Sequence, residues 1–144
     1  MAAATGKLIS VDRMSFNVPT DWTREPAYIG RGVAVGANGS GIVITVGVST
    51  PIEPNRSLVA FARSWREHGL YVKKPKIVDE ISIGGQSWFH LSGDIGLNTY
   101  GDDYGTVVGG DTEIVFSVET LNEFVPAAER KQTIDSILAS VVLS

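Results

Sequence analysis

Met14, Phe16 and Val18 alternate with Ser15 and Asn17, a period of two that places three apolar side chains on one face of a strand. Leu8–Val11 alternates more weakly and predicts a short strand before it. Pro19 ends the second strand, because proline cannot donate to a sheet ladder, and Pro19-Thr-Asp-Trp22 reads as a turn that aims Trp22 at the core. Two apolar, β-branched runs follow, Gly32–Ala37 and Gly41–Ser49, joined by Asn38-Gly39-Ser40. An Asn-Gly pair supplies the positive φ angles of a tight hairpin. Val33 and Val35, then Ile42 or Val43 with Ile44, Val46 and Val48, are the core candidates.

After Pro51 and Pro54 the period changes. Leu58, Phe61, Ala62, Trp65 and Gly69 follow the i, i+3, i+4, i+7 spacing of an amphipathic helix, with Arg56, Arg63, Arg66 and Glu67 off the stripe. Asn55 is the expected N-cap and Gly69 the expected left-handed residue ending the helix. Ile77–Ile83, with Ile77, Asp79, Ile81 and Ile83 on one parity, predicts a strand that turns at Gly84-Gly85 into Ser87–Gly93. Asp94–Asp103, polar and glycine-rich, reads as a mobile loop. Tyr104–Val108 and Glu113–Leu121 form a last strand pair around Gly109-Gly110-Asp111. Pro126 is expected in the first turn of a closing helix whose buried stripe is Ala127, Lys131, Ile134, Ile137 or Leu138, and Val141. The predicted fold is α+β: a mainly antiparallel sheet against which two amphipathic helices bury their stripes. Residues 1–7 are expected to be a disordered leader and 8–144 a single domain.

Composition narrows the function classes. The 144 residues are 43% hydrophobic and 19% charged, enough apolar material for a core without a staple. A net charge of −4 and the lack of a basic stripe argue against nucleic acid as a partner; Lys73, Lys74 and Lys76 are the densest basic cluster and read as a solvated strand end. There is no cysteine, hence no thiolate chemistry, and no apolar run of about 20 residues that would span a bilayer. The chain reads as cytoplasmic if Met1 is its natural start and as extracytoplasmic if it follows a processed leader.

Three local features, taken in order, resemble the PsbP-like superfamily. These are Phe16-Asn-Val-Pro-Thr-Asp-Trp-Thr23; a mid-chain helix followed by an apolar strand, a Gly-Gly turn and Gln86-Ser-Trp-Phe89; and Thr112-Glu-Ile-Val-Phe-Ser-Val118 before a closing helix ending Ile134-Asp-Ser-Ile-Leu-Ala-Ser-Val141. That superfamily includes Ran-binding Mog proteins, the photosystem accessory protein PsbP, LpqN-type lipoproteins and the Eag chaperones of type VI secretion. The resemblance covers roughly residues 14–142 and implies a non-enzymatic accessory or binding module, with no catalytic residues to carry over.

The residues themselves agree with that implication. The two histidines, His68 and His90, lack a Gly-x-Ser-x-Gly elbow and read as a helix-end and a strand residue. Zinc lacks a ligand set; calcium would draw on Asp94, Asp102, Asp103 and Asp111, but without EF-hand spacing these read as a solvated loop. No cofactor or metal is expected. Tyr28, Tyr100 and Tyr104 with Asp102 and Asp103 are the candidate binding residues, an acidic surface rimmed by aromatic rings. The leading expectation is a chaperone- or adaptor-like module that recognises a protein partner or an apolar segment. The alternative is a carrier of a lipid or small apolar ligand, and a hydrolase built on His90 and Asp94 is the least favoured reading. Oligomeric state is not legible.

Overall fold

A computed structural model describes residues 2–27, 32–39, 41–51, 56–69 and 71–144. Tyr28, Ser40, Pro54 and Asn55, all named above, lie outside the described residues, as does the side chain of Val33. The elements run β1 (Lys7–Val11), β2 (Met14–Val18), β3 (Thr23–Ala27), β4 (Gly32–Gly39), β5 (Ile42–Ser49), α1 (Leu58–His68), β6 (Lys76–Ile83), β7 (Gln86–Gly96), β8 (Thr99–Val108), β9 (Thr112–Leu121), α2 (Ala127–Ala139) and β10 (Val142–Leu143). The order β3-β4-β5-β9-β8-β7-β6 makes a large antiparallel sheet, and β1-β2-β10 a small one.

The large sheet divides the interior into two. Phe16, Val18, Ile44, Val46, Trp88, Phe116 and the inner face of α2 (Ile134, Ile137, Leu138) form one cluster, which joins the small sheet and α2 to one face. On the other face Phe61 and Ala62 of α1 meet Phe89, Leu91 and Val115. The molecule is therefore layered: α1, the large sheet, then the small sheet with α2. Alternation explains the split, because Trp88 and Phe89 are neighbours in sequence and face opposite layers.

Several details depart from the sequence expectations. Ser57, not Asn55, caps α1, its Oγ accepting the Ala60 N–H at 3.1 Å. Gly69 is extended (φ −76°), so its value is closeness: a Cβ there would sit 3.0 Å from the Trp65 carbonyl and from the Tyr71 ring. Pro126 is the N-cap of α2 and not its first residue, Ala127 and Lys131 are exposed, and the helix stops at Ala139. Val142 and Leu143 then pair with Ser15 and Met14 of β2. The single parity expected of β6 is broken by a bulge between Val78 and Ile81; Ile77 is exposed while Ile83 is buried. Such a bulge on an edge strand also disfavours sheet-to-sheet pairing. Thr23–Ala27, read as following a turn, is the opposite edge strand, and it carries Pro26. Before β1, Ala4 donates its N–H to the Ser136 carbonyl at 2.9 Å, and Lys7 is already part of the strand.

Asp94–Asp103 is the largest correction. The segment is not a loop: β7 and β8 run through it and meet at Leu97-Asn98, where both residues have positive φ (52° and 60°) as a two-residue hairpin turn requires.

Candidate functional site

Strand geometry in β8 sorts the candidate residues. Tyr100, Asp102 and Tyr104 share one face, and Asp103 points through the sheet to the other. The acidic, aromatic-rimmed surface is thus two separate sites, one on each side of the sheet, and neither is a loop surface.

On the α2 side, the first turns of the helix and strands β6–β8 enclose a half-open groove of about 610 Å³. His90 and Asp102 lie on its floor, Tyr100 and Tyr104 beside them, and Ile81 and Ile134 on its walls. His90 Nε2 donates to Asp102 Oδ1 at 2.8 Å, and its ring lies flat on Tyr104, 4.2 Å between centroids and 13° between planes. Register dictates this pairing, since His90 stands opposite Tyr104, and Asp102 lies two pairs along, on the same face. Asp102 Oδ2 is buried and has no hydrogen-bond partner among the described residues. Arg130, one turn into α2, brings its Nε to 3.9 Å from that oxygen and stacks its guanidinium 4.0 Å over the Tyr100 ring. Lys131 beside it is tied to Asp135. Burial, followed by the nearby Asp102 charge, pushes the Tyr104 hydroxyl well above the usual tyrosine range, so it stays protonated.

On the α1 side, Tyr71 donates its hydroxyl to Asp103 in a smaller cavity of about 300 Å³ that Trp65 and Ser117 also line. Two glycines make the room: a Cβ at Gly93 or Gly101 would lie 3.1 or 3.3 Å from the Tyr71 ring. Burial raises the Asp103 carboxyl from its ordinary value, against the opposing hydrogen bond from Tyr71. Burial first, and then Asp103, also raises the Tyr71 hydroxyl.

A carboxyl with a raised folded pKa holds its proton more tightly in the folded chain than in the unfolded one. Asp103 therefore adds stability as pH falls from above its folded pKa toward the ordinary range near 3.9, and that contribution is lost as pH rises. Asp103→Asn keeps the shape and removes the charge. The variant is expected to be the more stable chain at neutral pH, with the gap closing as pH falls, in urea midpoints measured on both chains across a pH series. Two parallel curves would show that Asp103 does not titrate in this way.

The other sequence candidates are placed apart from both cavities or bonded locally. Asp94 accepts the Gly96 N–H at 2.9 Å, and Asp111 lies 3.6 Å from Arg13. Asp94, Asp102, Asp103 and Asp111 therefore do not converge on a point, and among the described residues no cluster of three or more His, Cys, Asp or Glu could hold a metal ion. His68 Nδ1 bonds the Ser64 carbonyl at 2.9 Å in the last turn of α1. His90 pairs with Asp102 and not with Asp94, the partner that the least favoured reading of the sequence gave it. Sequence reasoning missed Arg130 and Tyr71, which reach their sites only through tertiary packing. The period-two pattern Tyr100-x-Asp102-x-Tyr104-x-Thr106 was the available signal for the groove floor.

This architecture is the PsbP-like fold. The chain is similar to cyanobacterial PsbP (CyanoP) from Synechocystis, with a TM-score of 0.66 and 16% identity over 96% of this chain and 92% of that one. It is also similar to LpqN of Mycobacterium tuberculosis, described as involved in cell envelope biogenesis, with a TM-score of 0.57 and 14% identity over 91% of this chain and 83% of that one. No protein-family model matches the sequence, and no curated protein matches it. Among the described residues no helix is long and apolar enough to cross a membrane.

Proposed function

We propose that the protein is a non-catalytic accessory module that holds an apolar segment of a protein partner in the groove between α2 and the sheet. The observation that carries this reading is the groove itself: open along one side, walled by Ile81, Ile134 and two tyrosines, with a fixed polar floor. Recognition sites have that composition, apolar walls with a few placed polar groups. The His90–Asp102 pair serves as floor and not as a catalytic engine. Hydrolysis of the triad type needs a nucleophile bonded to the imidazole, and among the described residues no hydroxyl makes that bond. The PsbP-like fold supports an accessory role, and the likeness to LpqN supports one at the cell envelope.

Ala128 lines the groove and is exposed, so a photo-crosslinking side chain placed there should fold normally. In extracts of its own cells it is expected to give a discrete adduct that the same probe at Val59, exposed on α1, does not give. Identical adducts at both positions, or none at Ala128, would defeat the reading. The groove volume also suits a small apolar ligand, and that second reading, a carrier, requires such a molecule to stay bound in native mass spectra.

A further inference from the structure

We propose that the groove selects a carboxylate at the end of an apolar chain and that Arg130 is the residue that reads it. The inference rests on the groove being the binding site and adds what the occupant must carry.

The Arg130 side chain is only 17% exposed, yet its contacts are a stack on Tyr100 and an ion pair at 3.9 Å, and neither is a hydrogen bond. Its partner oxygen, Asp102 Oδ2, is likewise without a hydrogen bond among the described residues. The guanidinium nitrogens of Arg130 are not among the buried atoms that lack a partner, so its unused donors open onto the groove, where a ligand can meet them. Tyr100 fixes the plane of the fork from one side, and Asp102, itself held by His90, fixes its Nε edge. The remaining N–H groups are left for the groove, and a planar carboxylate matches two of them at once.

Charge balance sets the class. Lys131 spends its donor on Asp135, whereas the ion pair of Arg130 with Asp102 is too long for a hydrogen bond, so Arg130 is the cation of the groove with donors left for a carboxylate. A doubly charged phosphate would meet stronger repulsion from the two aspartates. A cationic group would lie against Arg130, and a neutral chain would leave the donors unpaired. Ile81, Ile134, Ala127 and Ala128 provide the surface for the apolar part.

The test uses the full chain, titrated with decanoate, decanol and decylamine and followed by ¹H–¹⁵N NMR at β8 and α2. Decanoate is expected to bind about tenfold more tightly than decanol, with decylamine weakest. Arg130→Gln should remove the advantage of decanoate, so that the variant binds decanoate no more tightly than decanol. Tyr100→Leu, which frees the guanidinium without discharging it, should reduce the advantage in part. A second arm compares acetyl-Ala-Val-Ala-Leu as free acid and as amide. Preference for the peptide acid over decanoate points to a protein carboxylate, and the reverse to a fatty acid; either keeps the inference. Decanol and decanoate binding the groove equally would overturn the carboxylate while leaving the groove as the site. Shifts confined to other surfaces would overturn both.

Discussion

Replacing Trp88 with alanine is expected to lower the unfolding free energy by about 3–5 kcal/mol and the thermal midpoint by about 10 °C. Trp88 is completely buried, at 0% exposure, and lies in the cluster that joins the large sheet to α2 and the small sheet. Its indole Nε1–H donates to the Ile83 carbonyl at 3.0 Å across the β6–β7 hairpin. Truncation thus opens a cavity too large for neighbouring side chains to close, and it leaves that carbonyl without its donor. Trp65 is the internal comparison. It is half-buried at the edge of α1, so Trp65→Ala should lose no more than about half as much. Urea titrations of both variants, followed by far-ultraviolet circular dichroism, give the two losses directly. Equal losses would mean that the core is not organised around the α2 side of the sheet.

Where a segment is half-buried and built of β-branched residues, its period showed through in the sequence. β2 and β5 lie where alternation put them, because one face of each packs on the core and the other does so far less. The helix stripe of Phe61 and Ala62 was legible for the same reason. The first half of β8 was not, and the cause is physical. Tyr100-Gly-Asp-Asp-Tyr-Gly105 has the composition of a loop, yet each of its unusual residues answers to a neighbour far along the chain. Gly101 leaves room for Tyr71, and a Cβ at Gly105 would come within 2.2 Å of the Phe89 ring. Asp102 and Asp103 are tolerated in the interior because His90 and Tyr71 donate to them. Tertiary partners override strand propensity here, and no local window contains them.

The same residues explain why the candidate site was half legible. Tyr100, Asp102, Asp103 and Tyr104 were selected for their chemistry, and the structure does place Tyr100, Asp102 and Tyr104 together around one groove. The pleat separates Asp103 from them, a consequence that follows at once from strand geometry but not from a loop. Arg130 sits on a different element, and only the closing of α2 over the sheet brings it to Tyr100. Nothing in the spacing of an arginine within a helix announces that contact.

Arg56→Ala is expected to cost about 3 kcal/mol, more than an exposed ion pair ever contributes. Arg56 precedes α1 and reaches Glu113 on β9 through two hydrogen bonds of 2.8 Å each, a bidentate pair whose side chains are 14% and 7% exposed. Its guanidinium also covers the Phe61 ring at 5.0 Å. The pair fastens the start of α1 to the sheet, on the face opposite the groove. Removing the arginine leaves Glu113 buried without its partner, and that uncompensated charge, together with the exposed Phe61 face, makes up the loss. Glu113→Gln strands a less buried group and should cost less, about 2 kcal/mol. The paired replacement Arg56→Met with Glu113→Leu removes both charges and keeps the volume. It should therefore recover most of the loss, so that the double variant is markedly more stable than the sum of the single effects implies. Denaturation of wild type, the single variants Arg56→Met and Glu113→Leu, and the double variant closes the cycle. Additive losses would mean that the two residues act independently and that α1 is held by Phe61 and Ala62 alone.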